Sequence, residues 1–184
     1  MTTQPATDVA TWTIDPSHTL VEFSVRHMMI TTVKGRFGSI QATLKGTPDD
    51  PLSASAEAII DVSSIDTRSE ERDAHLRSAD FFDVEHYPTM RYVSRSVRQV
   101  GDGDFEVEGD LTIRDITCPV TLKVTLEGHL RDPWGNERVG LSAEGKIKRS
   151  DFGLKWNMAL ETGGVLVGDE VRLSLQVEAV RQAA

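Results

Sequence analysis

The sequence predicts an all-β, antiparallel fold, and three stretches with alternating side chains carry this prediction. Residues 120–127, 139–148 and 171–179 each place an apolar or small residue at every second position, with mostly polar residues between them. A period of two is typical of strands that have one face on a core and the other in water. Weaker strand patterns lie at residues 19–27, 37–44, 54–62, 89–97 and 105–113.

Turn-forming residues separate these stretches. Gly, Pro, Asp and Asn mark breaks at residues 46–51, 101–103, 114–119 and 132–136, and such residues typically connect neighbouring antiparallel strands. About eight strands at this regular spacing fit an antiparallel sandwich or barrel and not a sheet built from βαβ units.

One segment breaks the strand pattern and predicts a short helix at about residues 68–78. Thr67 and Glu70 have the spacing of a capping box, and Glu70 and Glu71 place negative charge in the first turn. At helical spacing the segment has one face of Arg72, His75, Leu76 and Ala79 and a second, salt-pairing face of Asp73, Arg77 and Asp80. Because two turns of helix do not fold alone, we expect it to lie on the sheet or across an open end of it.

The length and charge of the chain limit the number of domains and the kinds of partner that it can have. With 184 residues the chain fits one domain, which we expect at residues 12–180, between a frayed start at 1–11 and a tail at 181–184. The net charge of −9 disfavours binding to nucleic acid or to an anionic membrane. The sequence shows neither an apolar run long enough to span a bilayer nor a secretory signal. We therefore expect a cytoplasmic protein without stable membrane insertion.

Histidine, cysteine and motif patterns predict neither a metal site nor a catalytic site. The five histidines follow no metal-binding spacing, and the step of nine from His18 to His27 would put the two on opposite faces of a strand. Cys118 is the only cysteine, and neither a nucleophile elbow nor a phosphate-binding glycine loop is present. We expect no metal and no required cofactor.

One row of inward residues remains as a candidate site. Val21, Phe23, Val25 and His27 share a strand face, so His27 stands at the end of an apolar row. His27 could make a structural hydrogen bond in a core. Alternatively, with Arg72 and His75 of the predicted helix, it could hold the polar end of an amphiphile. The aromatic residues Phe81, Phe82, Phe152 and Trp156 fit either a core or the lining of a cavity.

The ordered motifs resemble the YceI-like family, also called polyisoprenoid-binding or lipocalin-like YceI proteins, over about residues 12–178. The most specific block is S-I-D-T-x4-R-D-x-H-L-R-S-x-D-F-F-D at residues 64–83. The other motifs are W-x-I-D-P-x-H at 12–18, F-S-V-R-H at 23–27, V-x-G-x-F at 33–37, G-D-L-T-I-R at 109–114, P-V-T-L at 119–122 and F-G-L-x-W-N at 152–157.

The resemblance implies an extended eight-stranded antiparallel barrel of the lipocalin-like kind, with the short helix over one end and an elongated hydrophobic pore inside. It also implies a bound isoprenoid-type chain and no intrinsic catalysis. Carried over by position, the residues expected to line or close the pore are Phe23, His27, Arg72, His75, Leu76, Phe81, Phe82, Phe152 and Trp156. Many relatives begin with a secretory signal, which this sequence does not show.

We expect a protein that binds, carries or sequesters a small lipophilic ligand, either an isoprenoid quinone or a polyprenyl lipid. The negative net charge favours a neutral head group slightly over a diphosphate. Two alternatives stay open at this point. One is an enzyme that acts on a hydrophobic substrate within the barrel, with His27, Arg72 or His75 as acid–base groups. The other is a homodimeric interaction module whose barrel is filled by its own side chains.

Overall fold

The computed structural model describes residues 9–183, which form eleven strand segments and one α-helix. The strands are β1 Thr11–Ile14, β2 Leu20–His27, β3 Thr31–Phe37, β4 Ile40–Thr47, β5 Asp50–Asp61, β6 Ile65–Asp66, β7 Thr89–Gly101, β8 Asp104–Ile113, β9 Ile116–Arg131, β10 Glu137–Lys148 and β11 Val167–Arg181. The helix α1 is Glu70–Arg77. Short 3-10 turns lie at Pro16–His18, Val62–Ser64 and Arg149–Phe152.

The strand segments close into an antiparallel barrel of eight long strands. β1 and β2 both pair with β11, so they are two halves of one interrupted strand. In the same way β3 and β4 run in one direction beside these halves, and β5 is continued by β6. The remaining strands pair in chain order from β7 to β11, and β1 closes the ring between β4 and β11. The predicted eight-stranded antiparallel barrel with one short helix is confirmed.

Two aspartates cap the turns that interrupt the long strands. Asp15 accepts a hydrogen bond from the amide of Ser17 at 3.0 Å, and Asp61 accepts one from the amide of Ser63 at 2.9 Å. Each aspartate thus satisfies a backbone amide that the sheet cannot pair at that point. The first turn lies between β1 and β2, and the second lies between β5 and β6, which is followed by α1.

The helix begins two residues later than predicted, and its N-cap is Ser69 and not Thr67. Arg68 has a left-handed backbone with φ of 63°, so it lies outside the helix, and Ser69 is the N-cap that accepts from the amide of Arg72. The predicted salt-pairing face is wrong. Asp73 is buried and accepts hydrogen bonds from the amide and hydroxyl of Thr67, while Arg77 donates to the carbonyls of Ser63 and Ile65. These bonds fix α1 against β6 over the end of the barrel.

The barrel extends slightly beyond the predicted domain limits. Thr11 pairs with Lys45 in the sheet, and Ala10 is buried, so neither is frayed. Arg181 is the last residue of β11, and the amide of Gln182 still donates to the carbonyl of Thr11. The rest of the predicted frayed start, residues 1–8, and Ala184 of the predicted tail lie outside the described residues.

A cation network ties the ends of three strands together. Arg138 of β10 donates to Asp132 at 2.7 Å, to Glu178 of β11 at 2.6 Å and to Asp15 after β1 at 3.1 Å. The hydrogen bond from Arg138 lowers the pKa of the Asp132 carboxyl to about 2, and hydrogen bonds from Ser17 and His18, with a smaller one from Arg138, lower that of Asp15 below its usual range.

We expect this network to make the barrel acid-sensitive. A carboxyl group whose pKa is lower in the folded protein than in the unfolded chain stabilises the fold at pH values above its unfolded-state pKa. This contribution is lost as the pH falls through its folded-state pKa. The free energy of unfolding should therefore decrease as the pH falls from the ordinary aspartate value of 3.8 to about 2. Arg138→Met should be less stable than the parent at neutral pH, and the difference should shrink through that window.

Urea unfolding at a series of pH values measures this effect. Lys123→Met, which removes an exposed cation on β9, is the control and should follow the parent curve. A constant difference between Arg138→Met and the parent across the acid range would show that Arg138 does not act through these carboxylates.

Candidate ligand-binding pore

Two apolar chambers lie inside the described part of the barrel, one toward each end. Each has a cavity volume of about 190 Å³. For scale, an apolar cavity of about 150 Å³ lined by aliphatic side chains stays dry and binds benzene. The barrel interior is therefore not filled by its own side chains, and the two chambers together give room for a hydrocarbon chain.

The first chamber, here the helix chamber, lies under α1. All eight long strands contribute inward side chains to its wall, which is almost wholly hydrocarbon, and examples are Val21, Val25, Ile60, Leu111, Val120 and Leu173. Leu76 of α1, together with Phe81 and Phe82 from the segment after it, lines the covered end. Such a wall offers a hydrocarbon chain burial without hydrogen bonds.

The second chamber, here the turn chamber, lies toward the turn between β4 and β5. Its apolar wall includes Trp12, Leu44, Phe105, Leu126 and Val139. Pro48 of the turn and Pro51 at the start of β5 also line it, as do the polar residues Thr47, Ser55 and Ser94. This end of the pore therefore has more polar groups than the end beneath α1.

Tyr92 of β7 and Leu122 of β9 line both chambers, and we call this pair the waist. Glycines on the neighbouring strands give both side chains room to lie against the wall. A methyl group on Gly109 would lie 2.5 Å from Tyr92 Oη, and one on Gly145 would lie 2.8 Å from Leu122 Cδ2. Real side chains do not approach so closely, so the two glycines keep the waist side chains out of the bore.

The Tyr92 hydroxyl is the unusual polar group of the pore. Its Oη is buried, and none of the residues that the structure describes forms a hydrogen bond with it. Burial raises the pKa of Tyr92 to about 12, so the phenol keeps its proton at neutral pH. A buried hydroxyl without a partner is costly in a folded protein, because it has lost its hydrogen bonds to water.

Arg149 is the buried cation at the covered end. It is 6% exposed and donates to the carbonyls of Gly168, Leu154, Trp156 and Val167 at 2.8, 2.7, 2.9 and 3.2 Å. Burial lowers the pKa of its guanidinium from the ordinary value. Because four of its five N–H groups are engaged by backbone carbonyls, Arg149 acts as a clamp on residues 154–168.

Four of the nine sequence-predicted site residues line the helix chamber. Phe23 projects inward from β2 over Gly35, and Leu76, Phe81 and Phe82 close the end of the chamber. Phe37, a further lining residue, contacts both Phe23 and Phe82, with ring centroids 5.5 and 6.1 Å away. The structure thus brings these four residues together around one space, while their part in ligand binding stays a prediction.

The other five predicted residues lie outside the chamber linings. Arg72 donates to the hydroxyl and carbonyl of Thr67 at 2.7 and 2.6 Å, and His75 bonds to Asp80 at 2.9 Å. His27 ends β2 opposite Thr31 and Val167. Phe152 is 1% exposed in the core, and Trp156 packs edge-on against His75 with 4.6 Å between ring centroids. Arg72 and His75 therefore already have protein partners.

Sequence reasoning missed the waist. Leu122 belongs to the clearest alternating stretch, so the sequence predicts that its side chain points inward. No sequence pattern indicates that it lies between two chambers. Tyr92 lies in a strand whose alternation is broken by a bulge between Ser94 and Ser96. The proximity of Gly109 and Gly145 to these side chains depends on cross-strand register, which the sequence does not display.

Metal-type ligands come together at one place among residues 9–183. Asp15, His18 and Glu178 have ligand atoms within 4.8 Å of one another. Arg138 donates to both carboxylates of this group, so a cation from the protein itself already neutralises it. Within the described residues, no helix has the length and apolar character needed to cross a bilayer.

Comparison with known proteins identifies relatives over nearly the whole chain. The family described as YceI-like domain matches residues 12–179. Protein YceI of Escherichia coli O17:K52:H18 is 38% identical over 165 residues, which cover 90% of this chain and 83% of that protein. A UPF0312 protein of Staphylococcus aureus strain MSSA476 is 36% identical over 168 residues, covering 91% of this chain and 95% of its own length.

Solved structures share the barrel. Burkholderia cenocepacia BcnA superposes with a TM-score of 0.79 at 25% identity, covering 90% of this chain and 98% of its own. The YceI protein of Campylobacter jejuni gives a TM-score of 0.75 at 28% identity, with 86% and 90% coverage. A polyisoprenoid binding domain from Saccharophagus degradans has a TM-score of 0.67 at 14% identity, with 93% and 98% coverage, which shows likeness of fold.

Proposed function

This chain belongs to the YceI-like domain family, and from that membership we propose that it binds an isoprenoid-type lipid in its pore and carries or sequesters it. The observation that carries the proposal is the pair of apolar chambers that meet at the waist. The family and the polyisoprenoid-binding neighbour favour a binding protein over an enzyme.

The energetics of the pore suit a hydrocarbon chain. Burial of apolar surface yields about 25 cal/mol per Å², so an isoprene unit that buries on the order of 100 Å² gains roughly 2.5 kcal/mol before ordering costs. Association and straightening of the chain cost several kcal/mol. A few buried units therefore give an affinity in the micromolar range or tighter.

The walls also bear on ligand class. The helix chamber accepts any chain of suitable width, because hydrocarbon packing carries no information about a head group. Selectivity must then come from polar groups elsewhere along the pore. We propose an isoprenoid with a neutral head, such as a quinone, in preference to a polyprenyl diphosphate, since the lining cation Arg149 is engaged by carbonyls and the net charge is −9.

Native mass spectrometry of the purified chain tests the proposal. We expect a lipid-sized mass adduct that survives gentle ionisation, and extraction with organic solvent should return the ligand chemically unchanged. Protein that is empty in repeated preparations and that fails to take up an added quinone or polyprenol would contradict lipid binding. Extraction of a converted product would indicate catalysis instead.

A further inference from the structure

We propose that Tyr92 is the polar recognition point of the pore and donates its hydroxyl proton to a neutral acceptor on the ligand, a carbonyl or ether oxygen. The head group then lies in the turn chamber, and the hydrocarbon tail lies in the helix chamber beneath α1. This inference rests on the proposed function and adds to it the chemistry and the direction of the ligand.

The position of the hydroxyl supports this direction. Tyr92 pairs across the sheet with Leu111, which lines the helix chamber. Its ring then extends over Gly109, and Oη lies 2.5 Å from the position that a methyl group on that glycine would take. The next inward residue of β8 after Gly109 is Val107, which lines the turn chamber. The phenol oxygen thus lies on the turn-chamber side of its own backbone.

A second hydroxyl lies at the same level. Ser94 lines the turn chamber and is opposite Gly109 in the sheet. Its Oγ accepts a hydrogen bond from the amide of Ala56 at 2.8 Å. The hydroxyl proton of Ser94 can therefore still be donated to a ligand. Two residues with uncharged hydroxyl donors, Tyr92 and Ser94, therefore line the turn chamber two positions apart on β7.

The chemistry of these donors defines the ligand. Hydroxyl groups without a neighbouring cation suit a neutral acceptor and give little stabilisation to a diphosphate, which requires charge-assisted bonds. Of the charged residues along the pore, Lys45 is exposed, Glu22 is an anion, and Arg149 is held by four carbonyls. A ligand with a carbonyl or ether oxygen would satisfy the otherwise unpartnered Tyr92 hydroxyl.

This arrangement reverses the head-group position expected from the sequence. The sequence predicts the polar end near His27, Arg72 and His75. In the structure that end of the pore is lined by hydrocarbon, and Arg72 and His75 are bonded to Thr67 and Asp80. The small hydroxyl residues of the lining, Thr47, Ser55 and Ser94, instead lie at the opposite end, in the turn chamber.

The test compares two probes of similar apolar character, a short-tailed ubiquinone, which has carbonyl and ether oxygens, and squalene, which has none. Tyr92→Phe keeps the ring and removes the hydroxyl. We expect it to weaken ubiquinone binding about three- to tenfold, the equivalent of one hydrogen bond, and to leave squalene binding unchanged or slightly tighter. Tyr87→Phe, at the other tyrosine of the chain, is the matched control and should affect neither probe.

The outcomes separate this inference from the proposed function. If the parent binds neither probe, the proposed function fails. If the parent binds both and Tyr92→Phe alters both equally or neither, lipid binding stands and the role of Tyr92 is overturned. Tighter binding of farnesyl diphosphate than of ubiquinone, unaffected by Tyr92→Phe, would also overturn it. Thermal unfolding checks the fold of the variant, which should be at least as stable as the parent because it loses an unpartnered hydroxyl.

Tryptophan fluorescence provides an independent readout of direction. Trp12 lines the turn chamber, whereas Trp156 packs against Phe81 near the covered end. In a Trp134→Phe background, ubiquinone should quench the emission of Trp12 more strongly than that of Trp156, as resolved by Trp156→Phe and Trp12→Phe variants. Stronger quenching of Trp156 would place the head beneath α1 and overturn the proposed direction.

Discussion

Gly109→Ala should sharply reduce lipid binding while leaving the barrel folded. The new methyl group would lie 2.5 Å from Tyr92 Oη and close to the end of the ring. Because the wall blocks one side, the ring must move toward the bore and obstruct the passage between the chambers. We expect affinity for a ligand that crosses the waist to fall by about tenfold or more. The structural cost is that of modest overpacking, about 1–3 kcal/mol.

Native mass spectrometry with a series of chain lengths measures this effect, and thermal unfolding measures the stability cost. Gly128→Ala is the matched control, since no atom lies within 4 Å of the position its methyl group would take. A second change, Tyr92→Leu in the Gly109→Ala background, should shorten the displaced side chain and restore binding of a chain without a polar head, such as squalene. Undiminished binding of long chains by Gly109→Ala would mean that the ligand does not pass Tyr92.

Arg149→Met should cause the largest loss of stability among the changes considered. The substitution leaves the carbonyls of Gly168, Leu154, Trp156 and Val167 without their donor in a buried site. Hydrogen bonds to a charged group are worth about 1.5–3 kcal/mol each, and a buried acceptor left unpaired costs extra. We expect a decrease of at least about 3 kcal/mol in the free energy of unfolding, or roughly 6–12 °C in Tm.

Denaturant unfolding of the variant measures the loss directly. Arg149→Lys should recover only part of the stability. The planar guanidinium of Arg149 reaches all four carbonyls at once, whereas the compact ammonium group of a lysine has only three N–H donors. Lys148→Met, which removes an exposed cation on the preceding residue, is the control and should stay within about 0.5 kcal/mol of the parent. Equal effects of the variants at positions 148 and 149 would contradict the clamp.

Loss of the clamp should also affect the ligand. Leu154 and Val167 line the helix chamber, and Arg149 holds the carbonyls of both residues. We expect reduced ligand occupancy in Arg149→Met even at temperatures where the barrel remains folded. Circular dichroism identifies those temperatures, and mass spectrometry gives the occupancy.

Much of the fold could be predicted from local patterns. The three alternating stretches correspond to β9, β10 and β11, since a strand with one wet and one apolar face carries a period-two signal. β1 and β3 were missed as separate strands. β1 has four residues, and Thr31–Lys34 has little alternation before Gly35. The predicted helix start at residue 68 is two residues early, because the left-handed backbone at Arg68 is a tertiary feature.

The pore was predictable in part. Aromatic and aliphatic candidates such as Phe23 and Leu76 lie around the helix chamber, because apolar side chains on an inward face are buried away from water. Polar candidates were harder to place. Arg72 and His75 pair with Thr67 and Asp80, partners that depend on how α1 seats on β6. Tyr92 depends on a bulged strand and on Gly109 across the sheet.

A crystal structure of the chain loaded with a bromine-labelled isoprenoid quinone tests the central claim most directly. We expect continuous ligand density that occupies both chambers and passes between Tyr92 and Leu122, with the tail beneath α1. Ligand density outside the barrel, or density confined to one chamber with the waist closed, would contradict a lipid-binding pore that runs through the two chambers.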